Sequence, residues 1–118
     1  MRHVLIVDDD PLVRDLLAAV LTDDRYDLAF AEDGEQAIAS ATATPPDMVI
    51  LDVMMPGMDG YEVCKQLRAT FPDTHIVMLT ARVGDEEEAT AMAAGASAFL
   101  TKPFSPLVLR ELMDQAQR

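Results

Sequence analysis

Three aspartates, a threonine and a lysine stand just past short apolar runs. Together they could hold a hard cation and carry out phosphoryl transfer. Asp8 and Asp9 follow Val4-Leu-Ile-Val7, Asp52 follows Met48-Val-Ile-Leu51, Thr80 follows the run from His75 to Leu79, and Lys102 follows Ala98-Phe-Leu-Thr101. If these runs are parallel strands of one sheet, all of the groups emerge along one edge, where open α/β sheets bind ligands. Adjacent carboxylates repel one another, and a third at the same edge worsens the cluster unless a cation neutralises it. Mg2+ meets that need, because one or two carboxylates hold it and it keeps waters and bridges to phosphoryl oxygens. Mn2+ favours the same oxygen ligands. A carboxylate beside the ion can act as a nucleophile and form an acyl phosphate. The equatorial oxygens of the transferring group then call for a cation and hydroxyl or N–H donors, which Lys102 and Thr80 supply.

The elements that must position these groups alternate regularly. Asp9 or Asp10 can cap a first helix with Pro11 in its opening turn, where a missing N–H costs nothing. Two rows recurring every fourth residue, Leu12-Leu16-Val20 and Val13-Leu17-Leu21, predict a broad buried face for that helix. Tyr26 to Phe30 reads as a second strand, Asp33-Gly34 opens a second helix, and Pro45-Pro46 ends that unit. Asp59 caps a third helix running to about Thr70, Gly84 to Ala94 reads as a fourth, and Pro103 to Gln117 as a fifth. Gly95 suits the residue just past a helix end. Five βα units without a hairpin signal imply one α/β domain, a parallel sheet with right-handed crossovers and helices on both faces.

The chain has 118 residues, enough for one domain with a real core and no covalent staples. A formal charge of −12 argues against a nucleic-acid or anionic-membrane surface, both of which need clustered Lys and Arg. It favours a cationic partner or a metal. One cysteine, Cys64, excludes an intrachain disulfide, and its place on an apolar stripe with Leu67 makes it a buried thiol. No apolar run approaches the roughly 20 residues of a membrane span, and no signal-peptide core precedes Asp8, so the expected compartment is the cytoplasm. His3 and His75 lack any metal-ligand spacing and read as bystanders.

The combination resembles the receiver domain of two-component response regulators over essentially the whole chain. The motifs are Ile6-Val7-Asp8-Asp9-Asp10, Leu51-Asp52-Val-Met-Met-Pro56-Gly-Met-Asp-Gly60, Met78-Leu-Thr80-Ala81, and the segment from Gly95 to Lys102-Pro103-Phe104. The resemblance implies a single doubly wound (βα)5 domain over residues 1–118 with strand order 2-1-3-4-5. It implies that Asp52 is the phosphoacceptor, and that Mg2+ is held by Asp9, Asp52, the Met54 carbonyl and, partly through water, Asp8. Lys102 would pair with the phosphoryl group, Thr80 would hydrogen-bond it, and Ala81 would leave it approachable and offer a backbone N–H. Phe99 matches the family's switch aromatic, and Lys102-Pro103 its cis bond. The implied partners are a sensor histidine kinase or phosphotransfer protein and an output domain or downstream protein on the surface of helix four, strand five and helix five. A monomer and a phosphorylation-dependent dimer both fit. Ser97-Ala98 stand where members that dimerise through that surface usually carry an acidic pair, which argues against that particular mode.

Plainer readings exist for each residue. Asp10 reads best as a helix cap, Lys102 could be a structural counter-ion for Asp52, Thr80 a cap, and Phe99 a core aromatic. A partner-binding pseudo-receiver is an alternative that would be more attractive had any of Asp9, Asp52, Thr80 or Lys102 been lost, and all are present. Asp8-x-Asp10 superficially matches the nucleophile motif of haloacid-dehalogenase phosphatases, yet Leu12 fits that motif poorly and no cap domain has room. No Ser/Thr/Gly-rich loop follows strand one, which weighs against a flavodoxin. The ending Asp114-Gln-Ala-Gln-Arg118 suits either a natural terminus or the start of a linker to an output domain.

Overall fold

Alternation along the strands decides the architecture, because successive residues of each strand point to opposite faces and both faces are apolar. A computed structural model describes residues 2–22, 25–54, 59–81 and 84–116. Its elements run β1 (Arg2–Val7), α1 (Pro11–Val20), β2 (Tyr26–Ala31), α2 (Gly34–Ala43), β3 (Met48–Asp52), α3 (Gly60–Thr70), β4 (His75–Thr80), α4 (Asp85–Ala93), β5 (Ala98–Thr101) and α5 (Pro106–Ala116). The five strands form one parallel sheet in the order β2-β1-β3-β4-β5. This is the doubly wound arrangement expected from the sequence.

Val49 and Leu51 of β3 pack with Ala37 and Ala41 of α2, Val63, Cys64 and Leu67 of α3, and Ala91 of α4. Met48 and Ile50, one residue out of phase, pack with Leu17 and Leu21 near the end of α1 and with Leu109 and Met113 of α5. The sheet is therefore covered on both faces, and the thiol of Cys64 is fully buried. Burial pushes that thiol above its ordinary pKa.

Aspartate caps set the first three helices. Asp10 Oδ1 accepts from Leu12 N at 2.9 Å, Asp33 Oδ1 from Gln36 N at 2.8 Å and Asp59 Oδ1 from Tyr61 N at 2.9 Å. Each satisfies an N–H that the helix itself leaves unpaired. Asp10, rather than Asp9, thus caps α1, which leaves the Asp9 carboxylate uncommitted to the cap. α4 begins without a side-chain cap after Gly84, which has φ 126°, and carries four acids in its first turn, opposing the positive end of the helix dipole. Gly95, past the end of α4, has φ 104° as a C′ glycine should.

Two expectations need correction. The face of α1 is narrower than two full rows, because only Val13-Leu17-Leu21 and Val20 meet the core, while Leu12 is 76% exposed and Leu16 46%. The fifth helix starts at Pro106 rather than Pro103. The Lys102-Pro103 bond is cis, and the chain bends at these two residues before the first helical turn.

Candidate functional site

The four strands that carry the singled-out groups lie side by side, so their carboxyl ends form one rim. β1 ends at Val7, and the next residue, Asp8, remains tied to the neighbouring strand because its N–H donates to the Ala31 carbonyl at 3.1 Å. Asp52 is itself the last residue of β3, and Val53 N donates to Leu79 O at 2.9 Å, which keeps the start of the following loop against β4. Thr80 ends β4, and its carbonyl accepts from Lys102 N at 2.6 Å. Lys102 thus hangs from β4 as well as from the end of β5.

One carboxylate oxygen from each of Asp8, Asp9 and Asp52 lies within 4.8 Å of the other two. Asp8 and Asp52 are buried and Asp9 is exposed. Lys102 Nζ sits 3.1 Å from Asp8 Oδ2 and 3.2 Å from Asp52 Oδ1, bridging the two buried members. Met54 N, 3.3 Å from Asp52 Oδ1, makes a long hydrogen bond from the loop. Burial pushes the Asp52 carboxyl above the ordinary carboxylate range and the charge of Asp8 adds to it, while Lys102 and the Met54 N–H only partly offset the rise. Burial alone would lower the Lys102 ammonium, but its hydrogen bond to Asp8 and the charges of Asp52 and Asp8 outweigh it, so it is held above its usual value. The lysine is therefore firmly charged, and the aspartates still exceed it by two formal charges, counting −3 from the three carboxylates and +1 from the ammonium.

This donor set fits a hard divalent ion. All candidate ligands are oxygens, the cluster is over-negative, and exposed Asp9 leaves one side open to water, the features that suit Mg2+ or Mn2+. Asp8, Asp9 and Asp52 are the residues that could hold it, with Met54 adjoining on the loop after β3. Among the described residues, no other group of three or more His, Cys, Asp or Glu side chains is close enough to hold a metal ion.

The remaining sequence-selected residues flank this cluster. Thr80 is wholly buried and Ala81 beside it is exposed. Phe99 pairs in register with Met78 and is half-buried, packed against the cluster that includes Val63 of α3 and Ala91 of α4. Residues 55–58, including Pro56, lie outside the described residues. An apolar cavity of about 380 Å3 lies beside Lys102, lined by Val13, Leu16, Ala81, Pro103 and Phe104. His3 sits at the far end of β1, 3.1 Å from Asp27, and His75 at the far end of β4, so neither reaches the rim. Burial, with the nearby Arg68 charge, lowers the pKa of His75.

Three contributors had no role assigned from sequence. Gly60 opens α3 so close to the end of β3 that a Cβ there would stand 2.6 Å from the Asp52 carbonyl oxygen and from Val53 Cα. Tyr61 donates its hydroxyl to Glu87, tying the first turn of α3 to that of α4. Arg14 of α1 donates to the Asp8 carbonyl at 2.7 Å. A single basic residue among the apolar rows of α1 was the available signal for Arg14; the other two depend on contacts across the fold.

Comparison with known proteins agrees with this fold. The sequence model described as the response regulator receiver domain matches residues 4–114. The chain is 44% identical over 111 residues to response regulator MprA of Mycolicibacterium vanbaalenii and to that of Mycobacterium avium, covering 94% of this chain and 47% of theirs. It therefore spans about half the length of the curated relatives it matches. Among solved structures it is similar to chemotaxis protein CheY4 of Vibrio cholerae, with a TM-score of 0.91 and 36% identity over 98% of both chains. A putative response regulator of Chloroflexus aurantiacus has a TM-score of 0.90 and 36% identity, covering 98% of this chain and 96% of that one.

Proposed function

The chain belongs to the response regulator receiver domain family, and from that premise we propose that Asp52 accepts a phosphoryl group from a phosphohistidine on a partner kinase or phosphotransfer protein. The observation that carries this reading is the ammonium of Lys102 held 3.2 Å from Asp52 and 3.1 Å from Asp8 within a three-carboxylate cluster. Asp52 Oδ attacks phosphorus, the phosphorus–nitrogen bond of the donor breaks, and the leaving imidazole keeps the electron pair and takes a proton. Lys102 moves its pairing from the Asp52 carboxylate to the new phosphoryl oxygens, and Asp8 keeps it aligned. Thr80 offers its hydroxyl and Ala81 its backbone N–H to the same oxygens. Mg2+, when bound, neutralises the excess carboxylate charge and the charge that develops on the phosphoryl group.

The modification is stoichiometric, so the domain acts as a signalling module rather than a turnover enzyme. The apolar cavity between α1 and the β5–α5 bend supports docking of the donor beside Lys102. Phosphorylation adds charge where Thr80 and Lys102 respond, and Phe99, half-buried one strand away, transmits the response to the α4-β5-α5 surface that an output domain or downstream protein reads.

The test is intact mass after incubation with Mg2+ and a small acyl phosphate, with Asp52→Asn and an EDTA control, and amide spectra of the product. A gain of one phosphoryl group, lost in both controls, with shifts on α4-β5-α5, is the expected result. No gain despite measurable Mg2+ binding would make the domain a phosphorylation-independent interaction module. Steady donor hydrolysis unaffected by Asp52→Asn would make it a phosphatase.

A further inference from the structure

We propose that Arg14 is a positioning residue for the ion-binding turn, fixing the peptide that joins the two consecutive aspartates; the inference rests on the Mg2+-dependent reading above. The peptide between Asp8 and Asp9 is planar, so one hydrogen bond to its carbonyl fixes the plane in which the Cα atoms of both carboxylate-bearing residues lie. Arg14 supplies that bond, its guanidinium donating to Asp8 O at 2.7 Å from a side chain only 17% exposed. Asp8 is held at its other groups too: its N–H by Ala31 O at 3.1 Å, Oδ1 by Asp10 N at 2.9 Å and Oδ2 by Lys102 Nζ at 3.1 Å.

Asp9 is different. It is exposed, and its side chain makes no hydrogen bond among the described residues, so its direction is set by the backbone alone. The peptide plane that Arg14 holds is one of the two that meet at Asp9 Cα. Freed of Arg14, this peptide could rotate between its two Cα atoms without breaking the sheet bond of Asp8 N, and Asp9 would swing away from Asp52. The arginine is itself aimed from two sides. It stands one turn into α1, where its own N–H donates to Asp10 O at 3.1 Å, and its other terminal nitrogen lies 3.6 Å from Glu32, just past β2. The Glu32 contact is exposed and screened, so the Asp8 bond is the one that matters.

Mg2+ titration by calorimetry, well below the unfolding midpoint, tests this on the wild type, Arg14→Met, Arg14→Lys and Glu32→Gln. Arg14→Met keeps an apolar stem and removes the donors. It should raise the Mg2+ dissociation constant by on the order of 10-fold, the usual loss for a residue that orients a metal ligand. The Asp9 amide resonance should move while the β3 amides stay in place. Arg14→Lys, which keeps a cationic donor, should recover part of the affinity, and Glu32→Gln should stay within about 2-fold of wild type. Unchanged affinity in a folded Arg14→Met variant would overturn the positioning role while leaving the phosphoacceptor reading intact. Failure of the wild type itself to bind Mg2+ would overturn both.

Discussion

β3 and β5 both deliver a residue to the site, yet they are held very differently. β3 lies between β1 and β4 and is buried along its whole length, whereas β5 is an edge strand whose four residues are all only partly buried. Their neighbouring helices repeat the contrast. α3 buries Gly60, Val63, Cys64 and Leu67, while α4 buries only Ala91 and leaves Met92 exposed. A short apolar side chain removes little area from water, so α4 is attached by far less hydrophobic free energy than α3. The proposed nucleophile therefore sits on a fully buried central strand, and the proposed aromatic reporter, Phe99, on a partly buried edge strand. Local opening draws on such weakly buried elements, an arrangement that suits the proposed phosphorylation of Asp52 and its proposed readout through Phe99.

The largest effect should come from breaking the rigid half. A methyl group at Gly60 would meet backbone at 2.6 to 2.8 Å on three sides, the Asp52 and Val53 carbonyl oxygens and Val53 Cα, and backbone cannot rotate away as a side chain can. Gly60→Ala should cost roughly 3 kcal/mol in urea unfolding, the upper part of the range for overpacking, and should slow acyl-phosphate labelling because the loop beside Asp52 must shift. A cost below about 0.5 kcal/mol, the ordinary scatter of surface changes, would mean that the junction of β3 and α3 is as yielding as β5.

A smaller effect, of opposite sign, concerns the charge that the rigid half carries. Burial and the neighbouring Asp8 raise the Asp52 pKa above 3.8 in the folded protein, so the native state binds that proton more readily than the unfolded chain. Stability contributed by this group therefore falls as pH rises through the interval between 3.8 and the raised value. Asp52→Asn, which removes the charge and keeps the shape, should be more stable than wild type near pH 7 by roughly 1 kcal/mol, the scale for relieving an imperfectly paired buried group. The gain should shrink as pH is lowered through that interval, where wild-type Asp52 takes up its proton. Denaturation of both proteins across pH, without divalent ions, checks this; a less stable Asn variant at pH 7 would show that Lys102 more than compensates for burial.

The contrast between the two halves was unevenly legible in the sequence. Near-continuous apolar runs ending at Asp8, Asp52, Thr80 and Lys102 point to the parallel sheet and its rim, because a strand buried on both faces has few other ways to be written. Asp33 and Asp59 announced helix starts by their chemistry. The two rows on α1 look equivalent in the sequence until the sheet selects Val13-Leu17-Leu21 and leaves Leu12 and Leu16 outside. Asp10 was legible as the cap of α1, whereas the Arg14 bond to Asp8 and the need for glycine at position 60 are facts of three-dimensional proximity that no local pattern encodes. The weak hold on α4 was partly visible, because Ala-rich composition after Asp85-Glu-Glu-Glu88 offers little to bury.

The smallest effect should be the most informative about the soft half. Tyr61 is anchored on α3, and its hydroxyl donates to Glu87 in the first turn of α4, so the one helix is pinned to the other close to the site. α4 has no side-chain N-cap and little buried surface, so this bond is one of the contacts that fix its start. Tyr61→Phe keeps the ring against the α3 cluster and removes the donor, so global stability should fall by no more than about 1 kcal/mol, the usual net worth of one hydrogen bond. Hydrogen exchange should reveal where the loss falls. Amides of α4 should exchange faster by severalfold while those of β3 remain as protected as in wild type, since local opening of α4 does not require the sheet to part. If β3 amides accelerate together with α4, the two halves open as one cooperative unit, and the separation between a rigid chemical strand and a yielding reporter does not exist in this protein.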